Sequence, residues 1–470
     1  MNKLKRKSLY LALAASLGAA GVAGSASAVN INGDGLGQVL IFPYYTVRNG
    51  TDTYLSVTNT SSTDYKAVKV RFTEGRNSRE VKDFNLYLSP NDMWTGVVIA
   101  TANGATLQTT DLSCTSPAIP SGGTDFVNYG YSGATVEGIV DAGGDGESQS
   151  LDRTREGYFE IIEMGIITNT ADQAAILHTA GIPGDCTVVQ APGFNAGASG
   201  GAHAASAPTG GLAGRATLIN VAEGTEYGYD PTVLANFSVL PIWFAPGTIQ
   251  PDLRAAFPPI SNVYNTTSNA NISDTWSAGT ADSVTAVLMH AQIINDYILD
   301  TATLSGTDWV VTMPTKRYYV PVDDPSIVDA LVNPIGAPFT QSFWLGGACE
   351  PVGLAYWDRE EQYVANVDFS PPPPTQVNAL CWESTVVTFN NSDVFGSANS
   401  ANIPVNFVHG WADITLSGNG HTLISGSGHT YSGLPVVGFM AQDYVNGNVG
   451  GVLSNYGGNF NHKYVTTITP

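Results

Sequence analysis

The sequence predicts a mainly β fold: antiparallel Ig-like β-sandwich modules with a few short helices and long Gly/Ser/Asp-rich loops. Three observations predict it. Residues alternate in polarity through the run from Thr53 to Val98, turn clusters recur there at roughly 8–12-residue spacing, and only one stretch of the 470 residues has clear helical periodicity.

The run from Thr53 to Val98 carries the fold reading. Lys66 to Phe72 alternates, with Val68, Val70 and Phe72 on one side and Lys69 and Arg71 on the other, the pattern of a half-buried strand. Tyr54 to Val57 forms its neighbour. Between them, Asn59 to Asp64 is a cluster of short polar side chains that bond to nearby backbone and so favour a turn. A second turn at Glu74 to Ser78 leads into Val81, Phe84, Leu86 and Leu88, and Pro90-Asn91-Asp92 breaks the chain before Trp94, Val97 and Val98. Residues 29–105 are therefore expected to form one Ig-like module.

Residues 1–28 read as a secretory signal peptide. Lys3, Lys5, Arg6 and Lys7 precede an apolar run from Leu9 to Val22, and Ala26-Ser27-Ala28 is an A-x-A cleavage pattern. The apolar run falls short of the ~20 residues of a spanning helix, and no later segment has eighteen uninterrupted apolar residues, so no transmembrane segment is expected in the mature chain. All 40 acidic residues but only 15 of the 19 basic ones follow the signal, leaving a formal charge of −25. Nucleic acid is an unsuitable partner for such a chain, because its recognition depends on cations that neutralise phosphate. Seven of those fifteen cations, from Arg48 to Lys82, gather in the opening module. They read either as a solvated sheet face or as a basic docking face, with Lys69, Arg71, Arg76 and Arg79 as its interface residues.

Beyond the opening module, residues 106–155 form an acidic Gly-rich loop region. Asp141, Asp145 and Glu147 are its candidate Ca²⁺ ligands, in a spacing that does not match an EF-hand and that a plain acidic loop explains better. Residues 156–348 are expected to be a β-rich domain containing one amphipathic helix over 282–299, where Val284, Val287, Leu288, Ala291, Ile294 and Ile298 recur at three-and-four spacing. Glu160 and Glu163 do not make a glycosidase pair, since an odd offset on a strand separates them. Gly197 to Gly201 satisfies G-x-S-x-G without the strand before it and helix after it that a nucleophile elbow needs. Cys114, Cys186, Cys349 and Cys381 make an even set in an exported chain; of three connectivities, sequence proximity favours Cys114–Cys186 and Cys349–Cys381. The second bridge would close a Pro-rich loop over 349–381. Residues 382–470 are again β-rich, pairing among themselves or with the opening module. The repeat at 417–432 reads as a hairpin with His421 and His429 exposed.

The segments FNLYLSPNDMWTG, EGYFEIIEMG, TDWVVTMPTKRYYV and CWESTVVTF resemble a group of uncharacterised exported proteins of Gram-negative bacteria. The resemblance implies export and a β-rich fold, and no activity. The acidic, Lys-poor composition is similar to that of surface-layer proteins, in composition alone.

These readings lead to three expectations. The first is a non-enzymatic extracytoplasmic structural protein, periplasmic or at the cell surface, that self-associates in a layer, fibre or matrix. It has no catalytic residue and no cofactor other than possible Ca²⁺, and its partner is itself or a cell-surface polymer. The second is a glycan- or polymer-binding adhesin using Tyr44, Tyr45, Trp309, Tyr318, Tyr319 and Trp357. The third is a secreted hydrolase with a non-contiguous active site around His178, His290 or His409.

Overall fold

The computed structural model describes residues 27–133, 144–191, 193–194, 205–322, 335–344, 346–365 and 378–470. Except for Ser27 and Ala28, the expected signal peptide lies outside them, as do Asp141, the G-x-S-x-G segment and the proline run at 371–374. The chain is mainly β with predominantly antiparallel sheets.

Sheet I places Glu156–Ile167 at its centre, between Val39–Thr46 and Lys66–Glu74. Glu80–Leu88 continues it on one side and Thr232–Ala235 on the other. Sheet II runs Thr225–Tyr229, Leu212–Asn220, Thr51–Asn59, Met93–Ala100 and Ala105–Gln108. The two sheets face each other across a core that includes Phe42, Val57, Phe72, Trp94, Phe159 and Leu218. Phe159 stacks between Phe42 at 4.2 Å and Phe72 at 5.0 Å. The opening module thus does not end at residue 105, because its central strand and two strands of its second sheet come from beyond the acidic loop.

Gly157 permits that central position. A Cβ there would fall on the Thr73 carbonyl, so only glycine lets the two strands approach.

Strand Lys66–Glu74 departs from the half-buried expectation, since all nine of its residues are buried. Its polar side is roofed by residues 244–254 and by Tyr318, whose presence over this strand no local pattern announces.

The second half forms two more sheets. Sheet III comprises Ser400–Ile403, Ser384–Phe389, Ser305–Thr312, Val437–Val449 and Val452–Asn461. Sheet IV comprises Tyr363–Ala365, Gly353–Asp358, His409–Thr415, Gln292–Ile298 and Lys463–Val465. Trp309, Val311, Val387 and Phe389 on one face of sheet III pack with Ile293, Tyr297, Leu354, Tyr356 and Ile414 of sheet IV. On the other face, Val310, Val386, Phe439 and Ala441 join the core of the first sandwich, where Phe439 stacks on Tyr229 at 4.6 Å. Residues 382–470 pair with 292–312 and 353–358, so 156–348 and 382–470 are not separate domains.

The helix expected over 282–299 stops at Leu288. Gln292–Ile298 is instead a strand, with Ile293, Asn295 and Tyr297 turned inward. The sequence there satisfies both periods, and β-branched isoleucines paired with His409–Thr415 on one side settle the competition in favour of the strand. Both expected disulfides form, Cys114–Cys186 and Cys349–Cys381. The second does more than staple a surface loop, because Gly353–Asp358 within it is an inner strand of sheet IV.

Asp308 is buried in sheet III, accepting from Ser392 Oγ at 2.6 Å and from the Phe395 amide at 3.2 Å. Burial pushes its carboxyl up to about 7. A native value above the unfolded one means this group's contribution is fully present below about pH 4 and is lost as pH rises through 7. Asp308→Asn, which mimics the neutral acid, should therefore flatten the fall of melting temperature between pH 5 and 8. Parallel curves for the two proteins would refute this assignment.

Candidate functional site

The seven-cation cluster folds inward. Lys66 Nζ lies 2.6 Å from Glu163 Oε1, both side chains fully buried, and Glu163 also accepts from the Thr209 and Gly210 amides. Lys69 pairs with Asp83 at 2.5 Å and donates to the Thr248 carbonyl. Arg71 bridges two carboxylates, with Nε to Glu80 at 2.9 Å and Nη1 to Glu160 at 3.1 Å. Arg79 is buried against the Gly130 carbonyl. Arg76 is part-exposed, pairs with Glu147 at 2.8 Å and lies 5.0 Å from the Trp382 ring centre.

Lys69, Arg71, Arg76 and Arg79 are therefore not an open docking face. A buried charge must be paired, and the acidic residues that do this lie on other segments, out of reach of a local reading. Neither do Asp145 and Glu147 form a Ca²⁺ loop. Asp145 is held by Arg153 at 2.7 Å, which with Asn77 keeps its carboxyl below the usual range despite burial, and Glu147 is taken by Arg76 and the Gly346 amide. Among the described residues no group of three or more His, Cys, Asp or Glu is placed to hold a metal, and no helix is long and apolar enough to cross a membrane.

The histidines are dispersed as well. His178 Nδ1 faces both Ser89 Oγ at 3.4 Å and Asp92 Oδ2 at 3.5 Å, so one nitrogen meets both groups and no relay from acid through imidazole to nucleophile exists. His290 bonds Thr466 and stacks on Tyr464; burial pushes it down to about 3, which keeps it neutral. His409 is 3.7 Å from Asp300. His421 is fully buried on Glu350, contrary to the exposed hairpin expectation, while His429 is part-exposed on Asp274.

Of the proposed aromatic platforms, Tyr44, Tyr45, Trp309 and Tyr319 are buried. Trp357 stacks on Trp411 at 3.9 Å with rings within 7° of parallel, and Tyr363 packs on it at 5.0 Å. Trp357 thus has Trp411 and Tyr363 packed on it, while Tyr363 at the end of the row is exposed.

The arrangement with the most chemistry is a cavity of about 350 Å³ beside the polar side of sheet I. Arg71 comes from strand Lys66–Glu74, Glu80 and Lys82 from Glu80–Leu88, Asp252 and Arg254 from the roofing segment, and Tyr318 from the turn after sheet III's Ser305–Thr312. Asp252 caps the turn that carries Arg254 and is chelated by it, at 2.6 Å from Nη2. Arg254 in turn lies 5.2 Å from the Tyr318 ring centre. Burial pushes Glu80 and Glu160 up to about 7 against the pull of Arg71, and lowers Lys82. Glu80, Asp252 and Arg254 carry no signal in the sequence, and Lys82 stood out only as one of the seven cations, since four separated segments meet here and no spacing signals the meeting.

No family model, curated protein or solved structure matches this chain. Function must be read from its own geometry.

The inward pairing makes a direct prediction. Lys69→Met leaves Asp83 buried without its cation and should cost roughly 3 kcal/mol in urea denaturation, with no change in association. Unchanged stability with impaired association would restore the docking reading.

Proposed function

We propose that this chain is a non-enzymatic extracytoplasmic structural protein that self-associates at the bacterial cell surface, and that its contact surface is the hairpin Val437–Val449/Val452–Asn461. One observation carries the reading. The outer strand of that hairpin is the last of sheet III, paired with Val437–Val449 on one side and with no ladder partner on the other among the described residues, and its sequence VLSNYGGNFN has neither charge nor proline. Natural edges are ordinarily blunted by those devices, because an open row of N–H and C=O groups is a template for another strand.

The side chains fit such a role. One face of the strand is closed against the first sandwich, where Asn455 Nδ2 donates to the Glu223 carbonyl at 2.7 Å. The other face and the tip present Tyr456 at 62%, Phe460 at 52%, Val452 at 66% and Val449 at 60% exposure. Two copies related by a two-fold axis would pair edge to edge and extend sheet III across the boundary. Such a contact closes at the dimer, and a layer or fibre needs a second one. Strand Tyr363–Ala365, an edge of sheet IV among the described residues and beside Trp357, is suited to it.

Export through the N-terminal segment and an Ig-like character of the first sandwich belong to the same proposal. The two disulfides and the pair of facing sheets support them. Light scattering after gel filtration should show dimers or larger species that Tyr456→Lys and Phe460→Lys return to monomers without lowering the melting temperature. A wild-type protein that stays monomeric at high concentration, with and without Ca²⁺, would rule out self-association.

A further inference from the structure

We propose that the cavity between sheet I and the roofing segment is a binding site for a small organic anion, bearing a carboxylate or phosphate and about the size of a monosaccharide. The volume of about 350 Å³ lies at the small end of ligand sites, which begin at ~300 Å³. The decisive feature is the state of the groups along the wall. Each carboxylate there already receives a protein cation, and the cations keep further donors.

On the acceptor side, Asp83 is paired with Lys69 and takes the Gly247 amide. Asp252 receives the Arg254 amide, Nε and Nη2. Glu80 receives Arg71 Nε. On the donor side, Lys82 Nζ bonds one group among the described residues, Thr124 Oγ1 at 2.9 Å, and makes no ion pair there. Arg71 uses Nε and Nη1 on protein partners and Arg254 uses Nε and Nη2, so each guanidinium keeps a further nitrogen uncommitted among the described residues. An ammonium and two guanidinium groups with donors to spare, in a recess beneath the roofing segment, will hold an anionic group by charge-assisted hydrogen bonds. Tyr129 and Tyr318 supply ring surface for the rest of the ligand.

The cavity lies away from the Val437–Asn461 hairpin, so binding and self-association can fail independently. Titration calorimetry of the full chain with galacturonate, inorganic phosphate and galactose tests the site. Saturable binding of galacturonate or phosphate is expected, with galactose inert. Lys82→Gln and Arg254→Gln should each weaken that binding roughly tenfold while leaving the melting curve cooperative. Arg215→Gln, a change at an exposed cation on sheet II, should leave it unaltered. The proposal is overturned if neither anion binds, if galactose binds as well as galacturonate, or if Arg215→Gln weakens binding as much as the two cavity variants do.

Discussion

Pairing of buried charge beneath strand Lys66–Glu74 is the constraint on which the first sandwich depends. Three cations on one strand, Lys66, Lys69 and Arg71, are closed off from water, and each reaches a carboxylate on another segment: Glu163, Asp83, and Glu160 with Glu80. An unpaired charge there would be far more costly than an imperfect apolar contact. The central strand must therefore come from residues 156–167, and the segment before Arg254 must lie over the polar side. Arg153 repeats the device at the strand's end, joining Glu74 to Asp145 and stacking 4.0 Å from the Tyr131 ring centre.

Sheet III plays the corresponding part for the whole molecule. Because it is apolar on both faces, it needs two partners and receives them in sheet IV and the flank of the first sandwich. Thr312 Oγ1 bonds the Pro43 carbonyl at 2.6 Å and the Tyr229 hydroxyl bonds the Tyr44 carbonyl, so polar groups at the seam are satisfied as the apolar ones pack. Two sandwiches built from interleaved parts of the sequence become one packed body. With the cations of strand Lys66–Glu74 engaged inside, the basic cluster is not a surface feature. The uncharged edge of the hairpin and the donor-rich cavity stand out for opposite reasons, since one lacks the charges that guard an edge and the other holds more donors than its own acceptors use.

What the sequence determined by itself is what depends on neighbours along the chain. Alternation at Val68, Val70 and Phe72, turn chemistry at Asn59 to Asp64 and the even cysteine set led to a mainly β, disulfide-bonded chain, because side-chain direction and turn formation are local properties. Tertiary structure alone decided whether the second face of a strand meets water. Lys69 and Arg71 carry the same local pattern whether solvated or roofed, and only the arrival of residues 244–254 distinguishes the two. It likewise decided that Gln292–Ile298 is a strand, since its isoleucines fit either period until His409–Thr415 pairs with it, and it assembled the cavity from segments whose separation in sequence leaves no trace of their contact.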